Sequence, residues 1–231
     1  MQARTISLLA LSLVCGVFSV LAEGSFQNLG FEGAHLSPIP AGQYGGSVPI
    51  ADALPGWSGF LGTDQMTEVL QNNLTLGNAS IDILGPYWSF WNLIEGQYTL
   101  VLQPGANPSV GGYISASISQ TGLVPLDARS LQFKANSGPF SVSLAGHELS
   151  LVVMGAGSNY TLYGADISSV AGQSGVLVIT ALAGPNTTDS FDSIVFSPVV
   201  IPEPSVFSLL ASVALLFGRR VAEGRRPFTA G

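Results

Sequence analysis

The chain has 231 residues, a formal net charge of −7 and only 9% charged residues, against roughly 25% in an ordinary globular domain. Arg129 and Lys134 are the only basic residues between positions 5 and 218. Phosphate backbones would repel so acidic a chain, which excludes nucleic acid as a partner. The 28 glycines and 14 prolines predict many turns and no long helix in the central part.

The first 22 residues have the pattern of a secretory signal peptide. Arg4 supplies a positive start, an apolar run follows from Ile6 to Val20, and Ala22 ends a small-residue cleavage site, so we expect cleavage between Ala22 and Glu23 and export of the rest. The single cysteine, Cys15, lies inside this leader. The mature chain would therefore contain no disulfide, no cysteine nucleophile and no thiolate metal site.

Residues 23–198 are expected to form one extracytoplasmic domain. The segment from Ser25 to Gly33 is typical of a first strand, residues 35–61 are rich in proline and glycine and predict a loop, and residues 63–73 fit a strand or a short helix equally. Further strands with turn residues between them are predicted at Ser80–Leu84, Gln97–Gln103, Tyr113–Ser119, Ser130–Ala135, Phe140–Leu144, Glu148–Val153, Tyr160–Tyr163, Val176–Ala181 and Ser193–Ser197.

Alternation of apolar and polar residues in these segments indicates antiparallel strands with one buried face. The segment Val176–Ala181 is apolar on both faces, which predicts a central strand, and residues 166–173 could add one helical turn. No apolar stripe of helical period lasts three turns. The predicted fold class is therefore all-β, a two-sheet antiparallel sandwich flanked by an N-terminal signal helix and a short C-terminal hydrophobic helix.

Residues 199–231 combine a Pro-Glu-Pro motif, an apolar run from Ser205 to Gly218 and a basic end. The run of about 14 residues spans roughly 21 Å as a helix, less than the roughly 30 Å core of a bilayer, so we expect a transient rather than a lasting membrane span. The arginines would stay on the cytoplasmic side.

Order and spacing in this tail resemble the PEP-CTERM sorting signal of Gram-negative bacteria. Its matching residues are Pro202, Glu203, Pro204, Arg219 and Arg220. The resemblance implies an exosortase-type processing enzyme as partner, transient anchoring in the inner membrane, and then a place on the cell surface or outside the cell. Unlike most members of that family, the chain continues past its first pair of arginines to Arg225 and Arg226.

Short motifs in the domain are similar to those of galactose-binding-like jelly rolls and carbohydrate-binding modules. They are Asn28, Phe31 and Glu32 at the start, Pro55-Gly56-Trp57, Glu95 to Leu100, and Asp192, Ile194 and Phe196 at the close. The resemblance implies a structural Ca²⁺ held by Glu32 and Asp192, an ion that oxygen ligands suit. The alternative is that both are ordinary acids at strand ends.

A dense aromatic run, Tyr87-Trp88-Ser89-Phe90-Trp91, follows a turn at Gly85-Pro86. Its rings could stack on the faces of sugars, with Tyr87, Trp88 and Trp91 as the glycan-contacting residues. The alternative is that the rings enter the core, as one tryptophan of a sandwich commonly does, and Trp57 suits that role as well.

A catalytic set is not evident in the sequence. His35 and His147 stand far apart without flanking ligands, and no nucleophile elbow occurs. Paired carboxylates of a glycoside hydrolase remain an alternative, since several acids occur between Asp64 and Glu95. The sequence therefore predicts a secreted, non-catalytic sandwich, structural or polysaccharide-associating. Its rivals are a carbohydrate-active enzyme and a permanently membrane-anchored surface protein.

Overall fold

The computed structural model describes residues 24–201, apart from residues 44, 76, 87–92, 110, 137 and 186. The signal peptide, the sorting motif, the helix expected at 205–218 and the aromatic run lie outside the described residues. Within them, no helix has the length and apolar character that a membrane span needs.

The domain is a β-sandwich, as predicted. One sheet has eight strands in the order β1-β4-β5-β6-β16-β10-β14-β13, and the other has six in the order β12-β11-β15-β9-β2-β3. Every described strand pair is antiparallel except β4 with β5, and β7 and β8 form a separate hairpin. The strands are β1 Gly46–Pro49, β2 Ser58–Leu61, β3 Asp64–Met66, β4 Glu68–Gln71, β5 Ser80–Leu84, β6 Thr99–Gln103, β7 Gly105–Ala106, β8 Tyr113–Ile114, β9 Ala116–Leu123, β10 Ser130–Asn136, β11 Phe140–Leu144, β12 His147–Glu148, β13 Val152–Ala156, β14 Thr161–Asp166, β15 Ser174–Ala181 and β16 Asp189–Ser197.

The core lies between the two sheets, where alternate residues of each strand meet. Leu100 and Leu102 on β6 face Ile118 on β9 and Ile179 on β15, all nearly inaccessible to solvent. Phe133, Phe140 and Phe191 form an aromatic cluster, with ring centroids 5.1 Å apart for Phe140 and Phe191. Burial of such rings contributes a large share of the apolar stabilisation of a sandwich.

Several sequence predictions are confirmed at the level of single elements. Ser80–Leu84 and Phe140–Leu144 are strands with the predicted bounds, β15 is central in its sheet, and a 3₁₀ turn lies at Ser168–Val170. Trp57 is buried, as expected of a core tryptophan. The ambiguous segment 63–73 contains two strands, β3 and β4, rather than a helix.

Four predictions about elements were wrong in detail. The strand predicted at Tyr113–Ser119 is divided between β8 in the separate hairpin and β9 in the six-stranded sheet. The opening segment is not a strand: Ser25 makes one isolated bridge to Leu123, and turns follow from Leu29 to Gly33. The loop expected at 35–61 contains β1, β2 and a short helix, α1, at Ile50–Ala53. The strand predicted at Glu148–Val153 is divided between β12 in one sheet and β13 in the other, because the chain crosses there from sheet to sheet.

Packing also continues past residue 198, where the sequence placed the end of the domain. The Ser130 hydroxyl donates to the carbonyl of Val199 at 2.7 Å, and Ile201 is 5% exposed. The last described residues therefore belong to the sandwich.

Candidate functional site

The outer face of the eight-stranded sheet carries an unusual set of buried polar residues. On the central strands these are Ser80 and Asp82 of β5, Thr99 and Gln103 of β6, and Asp192 of β16. A sheet face this polar is buried only where another segment covers it and supplies hydrogen-bond partners. Part of the cover is the segment from Leu93 to Tyr98, called here the clamp loop.

Asp192 is the central acceptor of the clamp loop. Its Oδ2 atom accepts the backbone N–H of Glu95 at 3.1 Å and the hydroxyl of Thr99 at 3.0 Å, while Oδ1 accepts the N–H of Ser193 at 2.7 Å. Ser193 has a φ of 52° within a bulge of β16, where two residues face one residue of β10. Bulges redirect side chains near sites, and this one brings the Ser193 hydroxyl to Glu95.

Glu32 holds the other end of the clamp loop. Its carboxylate accepts the N–H groups of Gln97 at 3.0 and 3.1 Å and of Tyr98 at 3.2 Å. A side chain at position 96 would displace the Glu32 carboxylate, because an added Cβ would lie 2.1 Å from Glu32 Oε1, and the φ of +60° there favours glycine. The backbone of the clamp loop at Gly96 thus packs directly against the Glu32 carboxylate.

The Asn-x-x-Phe-Glu motif positions Glu32 through a compact turn. The Asn28 side chain accepts the N–H of Gly33 at 2.7 Å, and the Asn28 carbonyl accepts the indole N–H of Trp57 at 3.2 Å. Phe31 is fully buried against Trp57, with a φ of 59°. This strained conformation persists because the buried ring fixes it. The motif therefore forms a rigid support for the Glu32 carboxylate.

Glu95, at the exposed tip of the clamp loop, makes an ion pair with Lys134 at 2.5 Å. The lysine hydrogen bond, with help from the Ser193 hydroxyl, lowers the pKa of Glu95. Lys134 also lies 5.0 Å from the ring centroid of Tyr160, a cation–π distance. Lys134 thus binds the clamp loop through Glu95.

The aromatic run lies in the chain between two residues that the structure fixes. Before it, Gly85 donates its N–H to the buried side chain of Asn72 at 2.7 Å. After it, the Leu93 carbonyl accepts the side-chain amide of Asn159 at 2.9 Å, and Ile94 donates to Thr99 Oγ1 at 2.9 Å. Tyr87, Trp88 and Trp91 themselves lie outside the described residues.

Burial raises the pKa of three aspartates. The pKa of Asp82 rises to about 7, although the backbone N–H groups of Asn73 and Asn72 oppose the shift. The pKa of Asp189, which has no hydrogen-bond partner, also rises to about 7. That of Asp192 rises to about 6 through burial, with the charge of Glu32 adding to the shift. Glu32 and Asp192 therefore act on one another electrostatically.

The calcium prediction can be compared with this donor geometry. A divalent cation would relieve the repulsion between Glu32 and Asp192, which suits the charge of the pair. Protein donors already contact three of the four carboxylate oxygens of Glu32 and Asp192 twice each, including Asp192 Oδ1, which lies 2.7 Å from the N–H and 3.5 Å from the hydroxyl of Ser193. Glu32 Oε2 accepts one donor and keeps a lone pair for a further ligand. The described residues contain no group of three or more His, Cys, Asp or Glu suited to a metal. Calcium bound here would need carbonyl or water ligands for the remainder, and it stays a prediction.

Two grooves bear on the enzyme alternative. The larger, about 270 Å³, includes His147, Glu148 and Asp166 in its lining, and the smaller, about 220 Å³, contains Glu68 as its one carboxylate. Neither groove has an aromatic residue among its described lining residues. The acids grouped by sequence are dispersed, since Asp82 is buried on the sheet and Glu95 is paired with Lys134.

Sequence reasoning missed most of the clamp. It found Glu32 and Asp192 by their motifs but assigned no role to Thr99, Lys134 or Ser193. One signal was present: Lys134 is one of two basic residues in the domain, and a rare charge is commonly paired.

No family model matches the chain, and no curated protein matches it significantly. Among solved structures, the chain is similar in part to the enzymatically active domain of tailspike protein 4 from bacteriophage CBA120, at 15% identity and a TM-score of 0.36. The match covers 61% of this chain and 19% of the tailspike chain. A similarity of this degree supports no inference about activity.

Proposed function

We propose that this protein is an exported, non-catalytic β-sandwich that associates with extracellular polysaccharide, and that its aromatic run provides the stacking surface. Export and sorting rest on the leader and on the tail, which resembles the PEP-CTERM signal. Processing by an exosortase-type enzyme at the inner membrane would place the domain at the cell surface or in the matrix.

The observation that carries the proposal is the fixing of both flanks of the aromatic run. Gly85 and the clamp loop are held by the buried acceptors Asn72 and Asp192 and by the exposed carboxylate of Glu32. Holding both ends of a short loop reduces the conformational entropy lost when the loop binds a ligand. The acids near the run serve this structural purpose, which favours binding over hydrolysis.

A polysaccharide pull-down with the double variant Trp88→Ala/Trp91→Ala tests the proposal. Loss of two stacking rings should reduce retention at least tenfold, because each ring is worth about 1 kcal/mol or more at such contacts. Tyr113→Ala is the matched control, since Tyr113 is an aromatic residue 56% exposed elsewhere on the domain. Unchanged retention by a double variant with wild-type thermal stability would contradict the role of the run.

A further inference from the structure

The last described residues, 198–201, pack on the outer face of the eight-stranded sheet. After β16 the chain turns back across the outer face of the eight-stranded sheet, where the Val199 carbonyl accepts the Ser130 hydroxyl at 2.7 Å. It then reaches Gly164 of β14, where Ile201 fills the space above the glycine. A Cβ on Gly164 would lie 2.2 Å from Ile201 Cδ1 and 2.4 Å from the Met154 sulfur. Ile201 is therefore anchored on this face.

Exposed apolar side chains surround this anchor. Val195, Val199 and Val200 are 50%, 60% and 60% exposed, and Met154 is 42% exposed. Val195 and Gly164 both pair with Gln132 from opposite sides, so they lie two strands, roughly 10 Å, apart. We call Met154, Val195, Val199 and Val200 the exit patch. A cluster of exposed apolar residues of this kind marks an interaction surface.

The length of the following chain identifies the partner. Between Ile201 and Ser205, where the predicted membrane-inserting run begins, the sequence contains only Pro202, Glu203 and Pro204. Four Cα steps span at most roughly 14 Å, even when fully extended. An anchored Ile201 therefore stays within roughly 14 Å of the start of any inserted run, about the thickness of two headgroup layers, which brings the exit patch close to the bilayer surface.

We propose that the exit patch lies against the lipid bilayer while the tail is inserted, so that the domain has one defined orientation on the membrane during sorting. The inference rests on the proposed membrane insertion of the tail. Valine and methionine side chains would enter the interface, where each buried apolar group adds to binding. An acidic domain gains no attraction from anionic headgroups, so the short tether and the apolar contacts supply the orientation.

Lipid-borne quenchers test this orientation in the mature chain, residues 23–231, reconstituted in phosphatidylcholine vesicles, so that the tail is the one apolar segment expected to insert. A single cysteine carrying an environment-sensitive fluorophore is placed at Val195→Cys or, independently, at Val200→Cys, since residues 23–231 contain no other cysteine. Tyr113→Cys is the control, since Tyr113 has similar exposure and lies in the separate β7–β8 hairpin. Headgroup-level quenchers should reduce emission at residues 195 and 200 at least threefold more than at residue 113.

Vesicle flotation separates the outcomes. Flotation with equal quenching at all three positions would overturn the orientation while leaving tail insertion intact. Failure to float would overturn both tail insertion and the orientation that depends on it. Selective quenching at residues 195 and 200 in floating vesicles supports the proposal, provided that the labelled variants melt like the wild type.

Discussion

At the scale of single residues, Asp189 is the least satisfied group of the described domain. It is fully buried at the start of β16, opposite Leu102, and neither carboxylate oxygen has a hydrogen-bond partner. Gly138 packs against it so closely that an added Cβ would lie 1.8 Å from Oδ1. Burial without a partner favours the neutral acid, which is why its pKa rises to about 7.

This predicts a domain that is more stable in mild acid. Since the folded pKa exceeds the ordinary value of 3.8, the folded state binds the proton more tightly, so the stabilisation is complete below that value and is lost as pH rises through about 7. Asp189→Asn should therefore raise the free energy of unfolding at pH 8 by roughly 1–3 kcal/mol, and the melting temperature with it. At pH 4 the substitution should change both little.

Asp127→Asn is the control, because Asp127 is exposed in the turn after β9. Thermal melts from pH 4 to pH 8 provide the measurement. Equal effects of the two substitutions at pH 8 would contradict the assignment to Asp189.

At the scale of elements, the clamp loop is held by acceptors that are distant in sequence. Glu32 and Gln97 are 65 residues apart, and Glu95 and Asp192 are 97 apart. A charged acceptor for a backbone N–H contributes roughly 1.5–3 kcal/mol, and the packing of Tyr98 against the core adds to the hold on this loop.

Glu32→Gln should loosen this loop. Hydrogen exchange at the amides of Gln97 and Tyr98 should accelerate about tenfold, because a neutral acceptor replaces a charged one. Glu148→Gln is the control, since Glu148 is an exposed carboxylate on edge strand β12, and it should leave exchange at these amides unchanged.

Hydrogen exchange at the amides of Gln97 and Tyr98 also tests the calcium prediction. Added calcium should slow exchange at both amides in the wild type, whereas identical rates with calcium and with chelator would contradict the prediction.

Many of the strands could be predicted from the sequence, and the elements and contacts that could not be predicted have physical reasons. Regular alternation predicted strands such as β5 and β11 with their bounds, because one face of each is buried. The opening motif was misread as a strand because its apolar residues alternate, while the positive φ values at Asn28 and Phe31 depend on packing against Trp57. Likewise, no local pattern shows that Lys134 meets Glu95 across 39 positions.

At the scale of the whole molecule, the clamp loop and the exit patch would serve separate tasks. The clamp loop fixes the flanks of the aromatic run, whereas Ile201 ties the exit of the chain to Gly164. Ligand binding and membrane sorting would then use different parts of the outer face of the eight-stranded sheet, since Asp192 and Val195 lie three residues apart on β16. Of the buried acids, Asp192 supports the clamp loop.

The most direct test is a chain-length measurement on polysaccharide bound by the full-length protein. A fluorescently labelled polysaccharide is incubated with the protein, separated by size exclusion, and sized again after release by denaturation. We expect the label to co-elute with the protein and the released chains to keep their original length. Shortened chains would establish hydrolysis and contradict a non-catalytic role, and absence of co-elution across a panel of polysaccharides would contradict glycan association.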